Sequence, residues 1–488
     1  MASSTVPLVI GGQDVLTSDT FDVVSPATGK LLHKSSSADV AEAVAAVDAA
    51  AGAFSAWSRT QVHERRAILL RAADIIQARG DELKTAMREE TGSDEAWGDL
   101  NLRIATETIV HAASCLVNLE GRMPAIADPS REALVIREPY GVVFSIAPWN
   151  APIPLGIRAI VWAVGAGNTV VLKGSEMSPK SLHLVCSVLW EAGLPAGVLN
   201  FITSAPVHAA AVTSAVIAHA RVKKINFTGS TTVGRIIAQT AGAHLKPVLL
   251  ELGGKAPSLV LEDADLALAA RHCALGAFLH AGQICMSTER ILVHERVRDD
   301  FATELLAAVR ELYGGGDEAR GQGRGQGRGE AGVLVTAAAV AKNKALVADA
   351  LRKGATLLYG DPEEEHKTTT RMRPVVVAEV TPSMDVYRTE SFGPTVSLIS
   401  FKDDADAVAI ANDTEYGLVA AVFSKDLRRA LGVARRIETG AVHVNSMTPH
   451  DEPSLPHGGA KDSGYGRFGA GFDEWTRTKT ITFDSHLQ

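Results

Sequence analysis

The sequence predicts an α/β protein organised around mainly parallel sheet, and three observations predict it. From Tyr140 onward, short β-branched runs alternate with stretches of helical periodicity, the pattern of strand–helix–strand units. Upstream of that point, apolar residues recur at helical spacing. The polar residues best suited to chemistry sit just past the strand-like runs, where parallel sheets present their ligand sites.

The bulk numbers set the frame. A chain of 488 residues exceeds one simple core, so two or three domains are expected. Hydrophobic residues make up 46% and charged residues 21%, ordinary for a globular protein. With 48 basic against 56 acidic residues, the net charge of −8 argues against nucleic acid or an anionic membrane as the main partner. The opening MASSTVPLVIGGQD lacks the basic-then-apolar layout of a secretory signal, and no uninterrupted apolar run reaches transmembrane length. Four cysteines (Cys115, Cys186, Cys273 and Cys285) do not make a disulfide framework. A reducing, cytoplasmic setting is therefore expected, in which each thiol serves packing or chemistry.

The elements follow in order. Ser37 is placed to cap a first helix carrying Val40, Val44, Val47, Ala51 and Phe54. A second helix carries Ile68, Leu69, Ala72, Ile75 and Ile76 and ends near Gly80. Then VVFSI, NTVVLK, VKKINF, KPVLLEL, SLVLE, RILVH, TVSLISF and AVHVN read as strands. Residues 314–332 form a Gly/Arg/Gln-rich stretch that cannot build a core and reads as a surface loop. Its glycines can be forced onto GxGxxG, but no strand precedes them and no helix follows at once, so nucleotide binding is not assigned there.

Three strings carry the chemistry. APWNAP places Asn150 after the VVFSI strand, LLELGGK places Glu251 at a strand end, and GQICMSTER places Cys285 in a loop 34 residues further on. A thiolate that adds to a carbonyl needs donors for the new oxyanion, and the Asn150 amide and the Cys285 backbone N–H suit that task. Hydrolysis of the resulting thioester needs a general base, for which Glu251 is the candidate. Cys273, Cys115 and Cys186 lie in helical apolar contexts and read as packing thiols. No His/Cys/carboxylate set has metal-ligand spacing, so no metal is inferred.

With KGSE (173–176), FTGSTTVG (227–234), ESFGP (390–394) and GGAKDSG (458–464), these strings make the chain resemble the aldehyde dehydrogenase family over about residues 20–480. The resemblance implies a Rossmann-like NAD-binding domain (1–120 and 140–251), an α/β catalytic domain (252–440) and a small β oligomerisation element (121–139 with 470–488). It implies a homodimer or homotetramer acting on a small-molecule aldehyde. Lys173 and Glu176 would hold the adenosine ribose, and Gly229, Ser230 and Gly234 the pyrophosphate loop, whose glycines are spaced unlike the usual dinucleotide fingerprint. Glu390 would hold the nicotinamide ribose, with Phe392 beside it and Trp149 lining the channel. A carboxylate at Glu176 favours NAD over NADP. His280 stands where the family usually has Asn and reads as a neighbour of the site rather than a base. Several strings resemble most the branch that oxidises salicylaldehyde, vanillin and other aromatic aldehydes, in which Arg158 and Trp97 would shape the substrate mouth. A broad aliphatic or semialdehyde dehydrogenase, a CoA-acylating relative and a non-catalytic protein retaining the fold are the alternatives.

Overall fold

The computed structural model describes residues 5–314, 331–469 and 471–484. The Gly/Arg-rich stretch expected as a surface loop falls, for residues 315–330, outside the described residues.

Two sheets organise the chain. The first has eight strands, in the order 464–465, 248–251, 222–228, 142–146, 169–173, 199–202, 8–10 and 13–15. Its five central strands run parallel. Val142–Ile146 is the first of these five in sequence. The chain then builds outward to one side through Thr169–Lys173 and Leu199–Ile202, and returns to the other side at Val222–Thr228. The order reverses between 142–146 and 222–228, so a crevice opens past their carboxyl ends, where parallel sheets bind ligands. The second sheet has seven strands, in the order 356–359, 375–378, 395–401, 288–294, 256–260, 419–423 and 441–444. All its pairings are parallel except that of the edge strand Thr356–Tyr359.

The strand sequences explain this layering. TVVLK, VAAVF and TERILVH are buried at every position, as expected of parallel strands covered by helices on both faces. Each of the eight strings read as strands contributes one. LNFI (199–202) and VAAVF (419–423) are further strands that the reading did not name.

The amino-terminal reading needs correction. Five short strands precede the first helix, and two of them extend the first sheet. The helix Val40–Trp57 is capped by Asp39, not Ser37. The Asp39 carboxylate accepts from the Ala41 and Glu42 amides, and Glu42 accepts from the Asp39 amide, a complete capping box. The Ser37 hydroxyl instead accepts from the Ala205 amide at 3.0 Å. By length and composition this helix could cross a bilayer, with mean hydropathy 1.2. Glu42 and Asp48 interrupt it, and its Ala43, Ala46, Val47 and Ala50 side is buried, in a helix packed on the strand Thr169–Lys173 and the helix Pro206–Ala218.

A separate ribbon pairs Arg131–Pro139 antiparallel with Thr476–Asp484 over nine residues each. All of its second strand except Thr476 is exposed.

Candidate active site

Cys285 sits in a turn whose approach is contorted. His280, Ala281 and Gly282 have successive φ values of 48°, 54° and 74°. Left-handed backbone is costly for the first two, so surrounding contacts must enforce it. A Cβ on Gly282 would stand 2.1 Å from the Gly393 carbonyl, so only glycine fits there. The buried Gln283 locks the loop. Its amide nitrogen donates to the carbonyls of His280 (3.2 Å) and Val333 (3.0 Å), and its oxygen accepts from the Val335 amide (2.9 Å). Cys285 remains half-buried on this rigid support.

Asn150 arrives from the other sheet. It lies in the bend between the strand Val142–Ile146 and the helix Pro152–Gly165 and is buried. Its Nδ2 donates to the Gln283 carbonyl at 3.0 Å, which ties it to the cysteine loop. An amide carries two such hydrogens, so one is left for the site. The Asn150 carbonyl accepts from Trp97 Nε1 at 3.1 Å.

Glu251 ends the strand Val248–Glu251 with its side chain 1% exposed. Among the described residues, neither carboxylate oxygen accepts from a nitrogen or hydroxyl donor, an expensive condition for a buried carboxylate and one that calls for an explanation. Its neighbours are the Cys285 thiol and, at 3.8 Å, His457 Nε2. Burial and then the Glu251 carboxylate push the Cys285 thiol well above its usual range, while Arg158 works the other way. The GGAKDSG string braces this strand end: the Leu252 amide donates to the Ser463 carbonyl, and the Ser463 hydroxyl donates to the Gly253 carbonyl at 2.6 Å. Asn150, Glu251 and Cys285 are thus held in one region by two sheets.

An aromatic wall borders it. Trp97 stacks on His280 with centroids 5.1 Å apart and 10° between planes, and Trp149 approaches both His280 (6.5 Å) and Phe392 (5.9 Å). Burial pushes the His280 imidazole down to about 3, so it is neutral and packs as an aromatic. Arg158 is buried, pairs with Asp451, and lies over the Phe468 ring at 5.1 Å from the centroid. Among the described residues its Nη1 has no partner.

The cofactor candidates divide into two groups. Lys173 ends its strand buried, its ammonium pulled down by burial and partly restored by Glu176. Ser230 caps the helix Thr231–Ala243, whose first turn has no acidic residue, and the Gly229 amide donates to the Glu251 carbonyl at 3.1 Å. That helix start suits an anionic pyrophosphate. Gly234 lies within the helix, where a Cβ would meet Leu252 at 2.5 Å, so its smallness serves close packing. On the other side, Glu390 accepts from the Gly254 amide at 2.8 Å, and burial followed by the nearby Glu289 raises its carboxyl to about 7. A Cβ on Gly253 would stand 2.6 Å from that carboxylate.

Several residues with evident roles were not singled out from sequence. Glu289 accepts from Lys255 Nζ (2.7 Å), the Ser391 amide (2.9 and 3.1 Å) and hydroxyl (2.8 Å), and the Phe392 amide (3.0 Å). It pins the turn that presents Glu390 and Phe392. The register of 256–260 against 288–294 shifts between Ala256↔Thr288 and Pro257↔Arg290, so Glu289 is the extra residue of a β-bulge, a device that re-aims a side chain. Gln283, Asp451 and His457 were missed likewise. The polar density of HDEPSLPHGG (450–459) was the available signal for the last two.

Comparison with known proteins gives the family. The profile of the aldehyde dehydrogenase family matches residues 15–481. The chain belongs to the aldehyde dehydrogenase family. The vanillin dehydrogenase of Pseudomonas fluorescens is 44% identical over 484 residues, covering 98% of each chain. A crystal structure of salicylaldehyde dehydrogenase from Pseudomonas putida G7, complexed with salicylaldehyde, is similar with a TM-score of 0.93 and 37% identity over 99% of each chain. An NADP-dependent enzyme of E. coli is similar with a TM-score of 0.92 and 32% identity over 98% of each chain. This aldehyde dehydrogenase therefore has the family's α/β fold and the family's chemistry, oxidation of an aldehyde with NAD(P) as the electron acceptor.

Proposed function

We propose that the enzyme oxidises an aromatic aldehyde of the vanillin, salicylaldehyde or benzaldehyde type to its carboxylic acid, with NAD as oxidant. The observation that carries this reading is the buried Glu251 carboxylate facing the Cys285 thiol, with no nitrogen or hydroxyl donor to it among the described residues, next to a wall of stacked aromatic rings. The Cys285 thiol releases its proton to solvent, the thiolate adds to the aldehyde carbon, and the oxyanion that forms accepts from the free Asn150 amide hydrogen and the Cys285 backbone N–H. Bound NAD supplies the acceptor for the hydride that leaves this adduct. Glu251 then takes a proton from water as the water oxygen attacks the thioester, the C–S bond breaks, and Cys285 departs as thiolate. Lys173 and Glu176 would hold the adenosine ribose, Gly229 and Ser230 the pyrophosphate, and Glu390 with Phe392 and Trp149 the nicotinamide end. Gly234 lets the helix approach closely enough for this.

The aromatic preference rests on Trp97 and Arg158. The unpartnered Arg158 Nη1 is a donor for a ring hydroxyl, and Trp97 supplies a stacked surface. The vanillin and salicylaldehyde dehydrogenases that the chain resembles support the same class. Measured with NAD, kcat/KM for vanillin, salicylaldehyde and benzaldehyde should exceed that for acetaldehyde and hexanal. Higher values for the aliphatic pair would overturn the assignment.

NAD is preferred because the Glu176 carboxylate accepts from ribose hydroxyls and repels a 2′-phosphate. Lys173 beside it softens the repulsion, so NADP is disfavoured rather than excluded. Glu176→Gln should raise kcat/KM for NADP relative to NAD. An unaltered ratio would remove Glu176 as the discriminator.

Residues 1–120 and 140–251 would form the cofactor domain and 252–440 the catalytic domain. The exposed strand Thr476–Asp484, with Ile481 and Phe483 on its surface, would join protomers into a homodimer or homotetramer. Four free cysteines suit a cytoplasmic setting.

A further inference from the structure

A base that takes a proton in each turnover must also lose it, and the Glu251 side chain is 1% exposed. Facing it is the His457 ring, whose Nε2 lies 3.8 Å from Glu251 Oε1. On the opposite side, His457 Nδ1 lies 3.9 Å from Asp451 Oδ1. The His457 backbone is fixed, its amide donating to the Phe468 carbonyl (2.9 Å) and its carbonyl accepting from the Phe468 amide (2.8 Å). Its side chain is 13% exposed, so of the two partners it stands nearer to solvent. Asp451 also pairs with Arg158. Burial works to raise the Asp451 carboxyl, but Arg158, His457 and His450 together hold it below its ordinary value. His443 and His450, with ring centroids 5.0 Å apart, complete the charged and titratable surroundings.

We infer that His457 acts through Glu251 as a proton-exit residue, with Asp451 orienting its ring. This rests on Glu251 being the base for hydrolysis. Water attacking the thioester gives one proton to Glu251. Glu251 passes it to His457 Nε2, and the imidazolium, facing the Asp451 carboxylate, releases it to bulk water. No electrons move in this sequence. At 3.8 and 3.9 Å neither contact is a direct hydrogen bond, so a small side-chain rotation or one bridging water closes each gap.

The test is rapid-mixing measurement of NADH formation by full-length His457→Gln, His457→Ala and Glu251→Gln. The relay predicts a retained burst of one NADH per active site in both His457 variants, followed by a steady state slowed about tenfold or more. Added imidazole should restore much of the steady-state rate in His457→Ala, which a purely structural role would not allow. Should His457→Ala fail to fold, the burst and steady-state split in His457→Gln decides. An unchanged steady state in His457→Gln beside a stalled Glu251→Gln would overturn the relay alone. A native steady-state rate in Glu251→Gln would overturn the base reading and the relay with it.

Discussion

Cys285→Ala is expected to abolish aldehyde-dependent NADH formation while leaving NAD binding intact. Removal of a covalent nucleophile costs on the order of 10⁴- to 10⁶-fold, because the remaining donors have no adduct to stabilise. Thiol acidity alone does not single Cys285 out. Burial raises all four thiols, Cys273 to about 12 and Cys186 well above its ordinary value. Position does: Cys186 and Cys273 have no exposed surface, whereas Cys285 is partly accessible beside a carboxylate. Brief iodoacetamide treatment followed by peptide mass analysis should place the first adduct on Cys285. The competitor to watch is Cys115, which is also half-buried, with its sulfur 3.5 Å from His111 Nε2. First labelling there, or oxidation surviving in Cys285→Ala, would end the assignment. The sign of the Glu251 effect can be read in the same experiment. A neighbouring anion holds the thiol protonated, so Glu251→Gln should speed alkylation of Cys285 at neutral pH. Slower alkylation would mean that Glu251 activates the thiol as well as water.

The parts of this site that were legible in sequence and the parts that were not differ for a physical reason. Asn150, Glu251 and Cys285 sit at the ends of strands or in tight turns, and strand ends are marked by the hydrophobic runs that precede them. TVVLK, or the Ile-Leu-Val centre of RILVH, announces itself because a strand buried on both faces is built on a run of apolar or β-branched residues. The strands at Leu8–Ile10 and Gln13–Val15 have no such mark. They are three residues each and exist by adding to the edge of a sheet formed elsewhere, too short for any period to show. Misplacing the cap at Ser37 has a similar origin. Ser37 and Asp39 are both good caps by type, and what separates them is that Ser37 is already engaged by the Ala205 amide, 168 residues away. Gln283, Asp451 and His457 were hidden for the same cause: their partners are carbonyls, amides and charges brought near only by tertiary structure. Glu289 is the extreme case, because its role depends on a one-residue slip of register that no pattern of residue types encodes.

Glu289→Ala should be the most destabilising single change near the site, and its cost should depend on pH in a defined direction. The Lys255 side chain is 0% exposed and that of Glu289 is 4% exposed. Removing one partner of a buried pair strands the other charge and costs about 3–5 kcal/mol. Here the amides of Ser391 and Phe392 lose their acceptor as well. Burial already pulls the Lys255 ammonium below its ordinary range, and Glu289 is the first group that opposes this. Without Glu289 the folded-state value falls further, so above it the unfolded chain binds more protons than the folded one. Stability then rises with pH until the ordinary lysine value is reached. The deficit of Glu289→Ala relative to the native protein should therefore shrink as pH climbs from neutrality toward about 10. Thermal unfolding at a single protein concentration, at pH 7 and pH 9.5, measures both quantities without interference from subunit association. Glu289→Gln, which keeps the shape and one acceptor oxygen, should lie between the two proteins. Cofactor binding should weaken in both variants, because the turn carrying Glu390 and Phe392 is held by Glu289. A Glu289→Ala protein as stable as the native one at pH 7, or a deficit that grows with pH, would show that Lys255 finds another partner and that the bulge is not what fixes the turn.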